Sequence, residues 1–127
     1  MLIWAVLCYA NTFVEVLMGL VLSAKPETMI LDLKTENRSG PATLSDKKWG
    51  FALGSALCAI GVSTFFARDA TSWKSQKAVC LCNASFHSLV VAQKARAVVG
   101  GEKLDVPPTV IHLPLALGFI LFAFGQI

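Results

Sequence analysis

Four long apolar runs, separated by short polar stretches, organise the chain. They cover about residues 2–22, 49–67, 76–95 and 109–126. A helix that crosses a bilayer needs roughly 17–25 such residues, and the aliphatic stems of flanking lysine and arginine side chains extend the third run. The pattern therefore predicts an all-α membrane protein with four transmembrane helices in one domain, residues 1–127. A soluble helical bundle is the alternative, but it would have too little polar surface to stay in solution.

Residues that favour turns predict where some of these helices begin and end. Gly100 and Gly101 predict the end of the third helix. Pro107 and Pro108 precede the fourth helix and predict that it starts abruptly. In the long first connection, residues 26–33 are expected to form a short helix at the membrane surface.

The first and second halves of the chain, residues 1–67 and 73–127, resemble each other as two helical hairpins. A shift of 64 residues aligns the second run with the fourth and places Gly54 on Gly118 and Gly61 on Gly125. A shift of 72 residues aligns the first run with the third and places Cys8 on Cys80, Asn11 on Asn83 and Glu15 on His87. Apolar segments share few residue types, so a chance match is the alternative. Internal repeats are common in membrane folds, and the pattern favours two tandem, duplicated hairpins.

The distribution of charge predicts an orientation. The chain is 55% hydrophobic and 15% charged, and its net charge of +3 is too small and too dispersed to indicate nucleic-acid binding. Eight of the eleven basic residues lie in or beside the connections 24–48 and 96–108, and three lie around the second connection. The positive-inside rule places connections 24–48 and 96–108 on the cytosolic or matrix side and both termini on the opposite side.

Small residues predict the helix-packing faces. Residues without bulk let helix backbones approach closely in lipid, which drives association there. The predicted packing residues, whose contacts are expected either inside the bundle or against a partner, are Gly50, Gly54, Gly61, Ala84, Ser88, Gly118 and Gly125. The four cysteines lie inside apolar runs and lack Cys-x-x-Cys spacing, so we expect packing residues rather than disulfides or metal ligands.

Polar residues inside the first and third runs predict a buried ladder. Asn11 and Glu15 share a face of the first helix, and Asn83 and His87 share a face of the third. Because polar side chains within a span turn toward protein, we expect a Glu15–His87 hydrogen bond or ion pair, with an Asn11–Asn83 contact one turn deeper. The ladder has two interpretations: polar contacts that fix helix register, or a functional site.

Three functional alternatives use this polar face. Haem ligation would use His87 and His112, although counting from the helix ends places His112 several residues shallower than His87. A quinone or lipid site, or a proton relay, would use Glu15 and His87. The sequence contains no nucleophile motif, phosphate loop or metal cluster, so we expect no enzyme and no metal site.

The favoured function is a non-catalytic accessory subunit of an energy-transducing membrane complex, binding other membrane subunits and lipids. The respiratory chain of the mitochondrial inner membrane is favoured because Met1 is not followed by a basic amphipathic presequence. An even number of spans with both ends outside the matrix resembles the layout of mitochondrial carriers, although no carrier motif is present. A thylakoid protein of a photosynthetic complex and a stand-alone small membrane protein are the alternatives.

Overall fold

A computed structural model of the chain describes residues 2–26, 43–101 and 106–125. Within these ranges the chain forms no strand and four α-helices, which are α1 (Leu2–Ala24), α2 (Leu44–Ala67), α3 (Trp73–Val99) and α4 (Val106–Ala123). The prediction of an all-α chain with four long helices is confirmed. The short helix predicted for residues 26–33 falls almost entirely outside the described residues.

The helix α2 begins at Leu44 rather than at Trp49 because Thr43 and Asp46 cap its first turn. The backbone N–H of Thr43 donates a hydrogen bond to Asp46 Oδ2 at 2.9 Å, and the backbone N–H of Asp46 donates to Thr43 Oγ1 at 3.2 Å. This reciprocal pair is a capping box, which satisfies N–H groups that have no partner inside the helix. We had expected Lys47 and Lys48 to lie in the connection 24–48. They instead belong to the first turns of α2.

The end of α3 is the one that the glycines predicted. The N–H of Gly100 donates to the carbonyl of Arg96, and the N–H of Gly101 donates to the carbonyl of Val98, both at 3.0 Å. Gly101 has a φ of 92°, which glycine adopts without the steric cost that a side chain would add.

Both ends of α4 differ from the prediction. The helix begins at Val106, so Pro107 and Pro108 lie in its first turn rather than before it. A first-turn N–H has no intrahelical acceptor, so proline loses no hydrogen bond there. The helix ends at Ala123 rather than near residue 126, because Gly125 has a φ of 68° and turns the chain. The N–H of Gly125 donates a hydrogen bond to the carbonyl of Phe122 at 3.0 Å.

The chain divides into two compact units. The first, here called the α1–α2 unit, is Tyr9–Phe66. The second, here called the α3–α4 unit, is Ala67–Ile127 together with Met1–Cys8 at the start of α1. In each unit the two long helices run antiparallel, because residues early in one helix contact residues late in the other.

Charged side chains avoid the middle of every helix surface. In α1 the sole residue among Asp, Glu, Lys and Arg is Glu15, and its side chain is buried. In α2 no such residue follows Lys48, in α3 none lies between Lys77 and Lys94, and in α4 there is none. The exposed surfaces of these stretches are consequently uncharged.

By length and composition, α1 and α2 are each able to cross a membrane, and α4 contains a shorter apolar segment, Thr109–Ala123. Only 28% of the most apolar part of α1, and the same share of α2, is buried. An apolar helix in the core of a soluble protein is buried on all sides. A buried share of 28% is low for such a core helix. The helix α3 is more polar than the other three, since it also contains Lys74, Gln76, Lys77, Gln93, Lys94 and Arg96 toward its ends.

Candidate functional site

The polar face of α1 is buried, as the spacing of its residues predicted. Asn11 is fully buried, and Glu15 is 1% exposed. Within the α1–α2 unit, Nδ2 of Asn11 donates a hydrogen bond to Oγ1 of Thr64 at 3.2 Å, and the Thr64 hydroxyl donates to the Ile60 carbonyl at 2.9 Å. Thr64 was not among the predicted ladder residues, since a single threonine in an apolar helix gives little signal.

The polar face of α3 is buried as well. Asn83 is 3% exposed and His87 is fully buried. Nδ2 of Asn83 donates to the carbonyl of Val79 in its own helix at 3.0 Å. The contacts predicted between Glu15 and His87, and between Asn11 and Asn83, each join residues of different units, and they stay predictions.

His87 and His112 lie side by side within the α3–α4 unit. Their Nδ1 atoms are 2.7 Å apart, and the ring centroids are separated by 4.9 Å. The depth offset predicted between these residues is therefore wrong. Counting from the helix ends assumed that the end of α3 and the start of α4 lie at the same level, and the contact between the two rings shows that they do not.

Aromatic side chains hold this histidine pair. The Phe86 ring meets His87 edge-on at 5.2 Å and His112 at 6.0 Å. The Phe119 ring is nearly parallel to the His87 ring, at 6.1 Å and an interplanar angle of 6°. Since Phe119 is fully buried, packing limits how far the His87 ring can rotate. One imidazole donates its Nδ1–H and the other accepts, because a neutral imidazole carries a single N–H.

Glycines position α1 against α2 inside the α1–α2 unit. A Cβ atom added at Gly54 would lie 2.8 Å from the Gly19 carbonyl oxygen, and one added at Gly61 would lie 2.8 Å from a methyl group of Val16. The hydroxyl of Thr12 donates to the Gly61 carbonyl at 3.0 Å. Gly19 was not predicted as a packing residue, although its spacing of four from Ser23 is the signal that would have found it.

The other predicted packing residues differ in their surroundings. Gly50 lies against the backbone of Pro26, and Gly118 lies against the flexible side chain of Leu7. Ala84 is buried and Ser88 is half-buried on α3. Gly125 lies in the turn after α4 with a φ of 68°, and a Cβ there would meet no atom of the described chain, so a helix contact at this residue stays a prediction.

All four cysteines are free thiols; Cys8 and Cys80 are buried, Cys58 is half-buried and Cys82 is exposed. The sulfur of Cys58 lies 3.9 Å from the Val16 carbonyl oxygen, a weak hydrogen bond inside the α1–α2 unit. Cys8, Cys58 and Cys80 therefore contribute to packing as expected, whereas the exposed Cys82 does not. Comparisons of the chain with protein-family models, with curated proteins and with solved structures found no match.

Proposed function

We propose that this chain is an integral membrane protein with four spans, and that it acts as a non-catalytic subunit of a larger membrane complex. The observation that carries the proposal is the inverted polarity of α1. Its acidic side chain, Glu15, is 1% exposed, whereas Phe13 is 69% exposed and Leu20 is 58% exposed.

In water this arrangement is unfavourable on both counts. A large apolar side chain left in water forgoes roughly 1.5–3 kcal/mol relative to burial, and a buried carboxyl group loses its hydration. In lipid the preferences reverse, because apolar side chains are solvated by acyl chains and polar ones turn toward protein. Hydrocarbon around α1 therefore accounts for both halves of the pattern.

The remaining helices extend the same reasoning. The exposed side chains in the middle of α2 and α4 are uncharged, and they include Phe51, Val62, Val110 and Leu117. In α3 the basic residues lie near the ends, where their stems reach toward headgroups. The orientation that we propose rests on the basic residues, eight of which lie in or beside residues 24–48 and 96–108, and it places these connections on the inner side.

The subunit role is supported by what the polar residues do within each unit. Asn11 is hydrogen-bonded to Thr64, and Asn83 is bonded to the backbone of α3. The Asn11–Thr64 contact joins two helices and fixes their register, and neither bond provides a reactive group. The described link between α2 and α3, residues 68–72, is too short for an extramembrane catalytic domain. The respiratory chain of the mitochondrial inner membrane stays the favoured complex, and a photosynthetic complex is the alternative.

Membrane insertion and assembly are tested separately. Alkaline carbonate is expected to leave the protein in the membrane pellet, because burial in lipid does not depend on charge pairs. Release into the supernatant would overturn the membrane proposal.

After gentle detergent extraction, native electrophoresis is expected to show the chain migrating with a large complex. Migration as a small free protein would overturn the subunit role and leave the membrane assignment standing.

The proposed span formed by α2 has its own measurement. Single cysteines are introduced at Lys25 and at Ser72 in a chain whose native cysteines are replaced by serine. In sealed vesicles, an impermeant maleimide is expected to label one of the two positions and not the other, because the connections on either side of α2 lie on opposite sides. Labelling of both positions in intact vesicles would contradict a span between them.

The contact between His87 and His112 supports a second candidate, a stand-alone membrane protein that binds a ligand in the α3–α4 unit. His87 and His112 would hold the iron of a haem, and their direct contact would have to open for the group to bind. A visible absorption band in the purified protein tests haem, and its absence would leave the quinone and lipid alternatives.

A further inference from the structure

The His87–His112 pair brings two nitrogen ligands to one point inside the α3–α4 unit. The two Nδ1 atoms face each other across 2.7 Å. His87 is fully buried, and His112 is half-buried, so one side of the pair is accessible from outside the unit. The rings of Phe86 and Phe119 contact the pair and hold its orientation.

Two imidazole nitrogens in direct contact are a small rearrangement away from the geometry that a metal ion needs. A zinc ion binds histidine nitrogen at about 2.0–2.1 Å, so two ligands of one tetrahedral ion lie roughly 3.3 Å apart. The observed Nδ1 atoms need to separate by about 0.6 Å to reach that distance. A small rotation of the half-buried His112 side chain provides this movement while His87 stays in contact with Phe119.

We propose that His87 and His112 bind one transition-metal ion through their Nδ1 atoms, with zinc as the expected ion. Neutral imidazole is a favoured ligand for zinc. When the metal binds, the proton between the rings moves to Nε2 of the donor ring, so that both Nδ1 atoms offer a lone pair and neither ring changes its charge. Water entering on the side of His112 completes the coordination. The proposal does not depend on the subunit role.

Cobalt(II) chloride alone is the probe, because Co²⁺ occupies zinc sites and absorbs visible light. The purified full chain in detergent is titrated with Co²⁺, and one equivalent is expected to bind with visible bands of a nitrogen- and oxygen-ligated ion. Zinc is then expected to displace it. His87→Ala and His112→Ala are each expected to weaken Co²⁺ binding at least about tenfold, since two ligands cannot be reduced to one without loss of affinity.

A matched variant separates ligand loss from a packing defect. Phe122→Leu alters the buried aromatic contact with Trp73 but leaves both histidines and the rings around them, and it is expected to bind Co²⁺ within about threefold of the unaltered chain. Far-ultraviolet circular dichroism confirms that each variant keeps its helices. If His87→Ala loses helicity, the half-buried His112→Ala still tests the site.

Three results would overturn the proposal. One is the absence of Co²⁺ absorption with the unaltered chain. Another is equal Co²⁺ affinity in both histidine variants and the unaltered chain. The third is an intense near-ultraviolet charge-transfer band from thiolate to cobalt, which would assign the metal to the cysteines instead of the histidine pair.

Discussion

Replacing Gly54 by alanine tests the close packing of α1 on α2. The new Cβ atom would lie 2.7 Å from Ser23 Oγ, 2.8 Å from the Gly19 carbonyl oxygen and 2.9 Å from the Ser23 backbone nitrogen. Two of these three atoms belong to the backbone of α1 and cannot rotate away. The helices must therefore move apart, and their remaining contacts loosen.

The expected net loss of stability follows from two opposing effects. Overpacking costs typically 1–3 kcal/mol, and rigid neighbours favour the upper end, about 3 kcal/mol. Alanine is a better helix former than glycine by about 1 kcal/mol. Gly54→Ala is thus expected to lower the free energy of unfolding by about 2 kcal/mol.

Gly118→Ala is the matched control. At Gly118 the close neighbour is a methyl group of Leu7, at 2.7 Å, and the other atoms of that side chain lie at 3.9 Å or beyond. A leucine side chain can change rotamer, so the change is expected to stay within about 0.5 kcal/mol of the unaltered chain. Unfolding by SDS in mixed micelles, followed by circular dichroism, measures both variants. Equal stability of the two would refute the backbone-contact reasoning.

Two further predictions concern hydrogen bonds inside the α1–α2 unit and at helix starts. Thr43→Ala is expected to destabilise the first turn of α2 by about 1 kcal/mol, whereas Ser72→Ala is expected to have little effect because Ser72 makes no side-chain cap bond. Amide hydrogen exchange at the two helix starts distinguishes them, and similar changes at both would contradict the role of the capping box. A double-mutant cycle with Asn11→Leu and Thr64→Val is expected to give a coupling of about 0.6 kcal/mol, the average for hydrogen bonds between membrane helices. Zero coupling, measured by the same SDS unfolding, would show that the two side chains act independently.

The sequence predicted the number and approximate positions of the helices, because each long apolar run forms one helix. All four runs appear as helices, and the glycines at 100 and 101 end α3 where expected. The start of α2 was missed because a polar segment gives no hydropathy signal. The Thr43–Asp46 capping box was readable as a threonine followed three residues later by an acid.

The candidate site was predictable in part. Asn11 and Glu15 are four residues apart, and the period of an α-helix places such residues on the same face. Both side chains are buried. Two contacts could not be predicted: the hydrogen bond between Asn11 and Thr64, and the contact between His87 and His112. Both depend on the axial offset between two packed helices. That offset is set by side-chain packing in three dimensions, which no single helix pattern contains.

The most direct test of the membrane assignment is the solvent at the exposed face of α1. A nitroxide is attached to a cysteine that replaces Phe13, in a chain whose native cysteines are serine, and a second nitroxide at Ser72 serves as the aqueous reference. At position 13, collisions with dissolved oxygen are expected to exceed collisions with a water-soluble nickel chelate, because oxygen concentrates in hydrocarbon and the chelate does not enter it. A higher chelate collision rate at position 13 than at position 72 would contradict a lipid environment for α1.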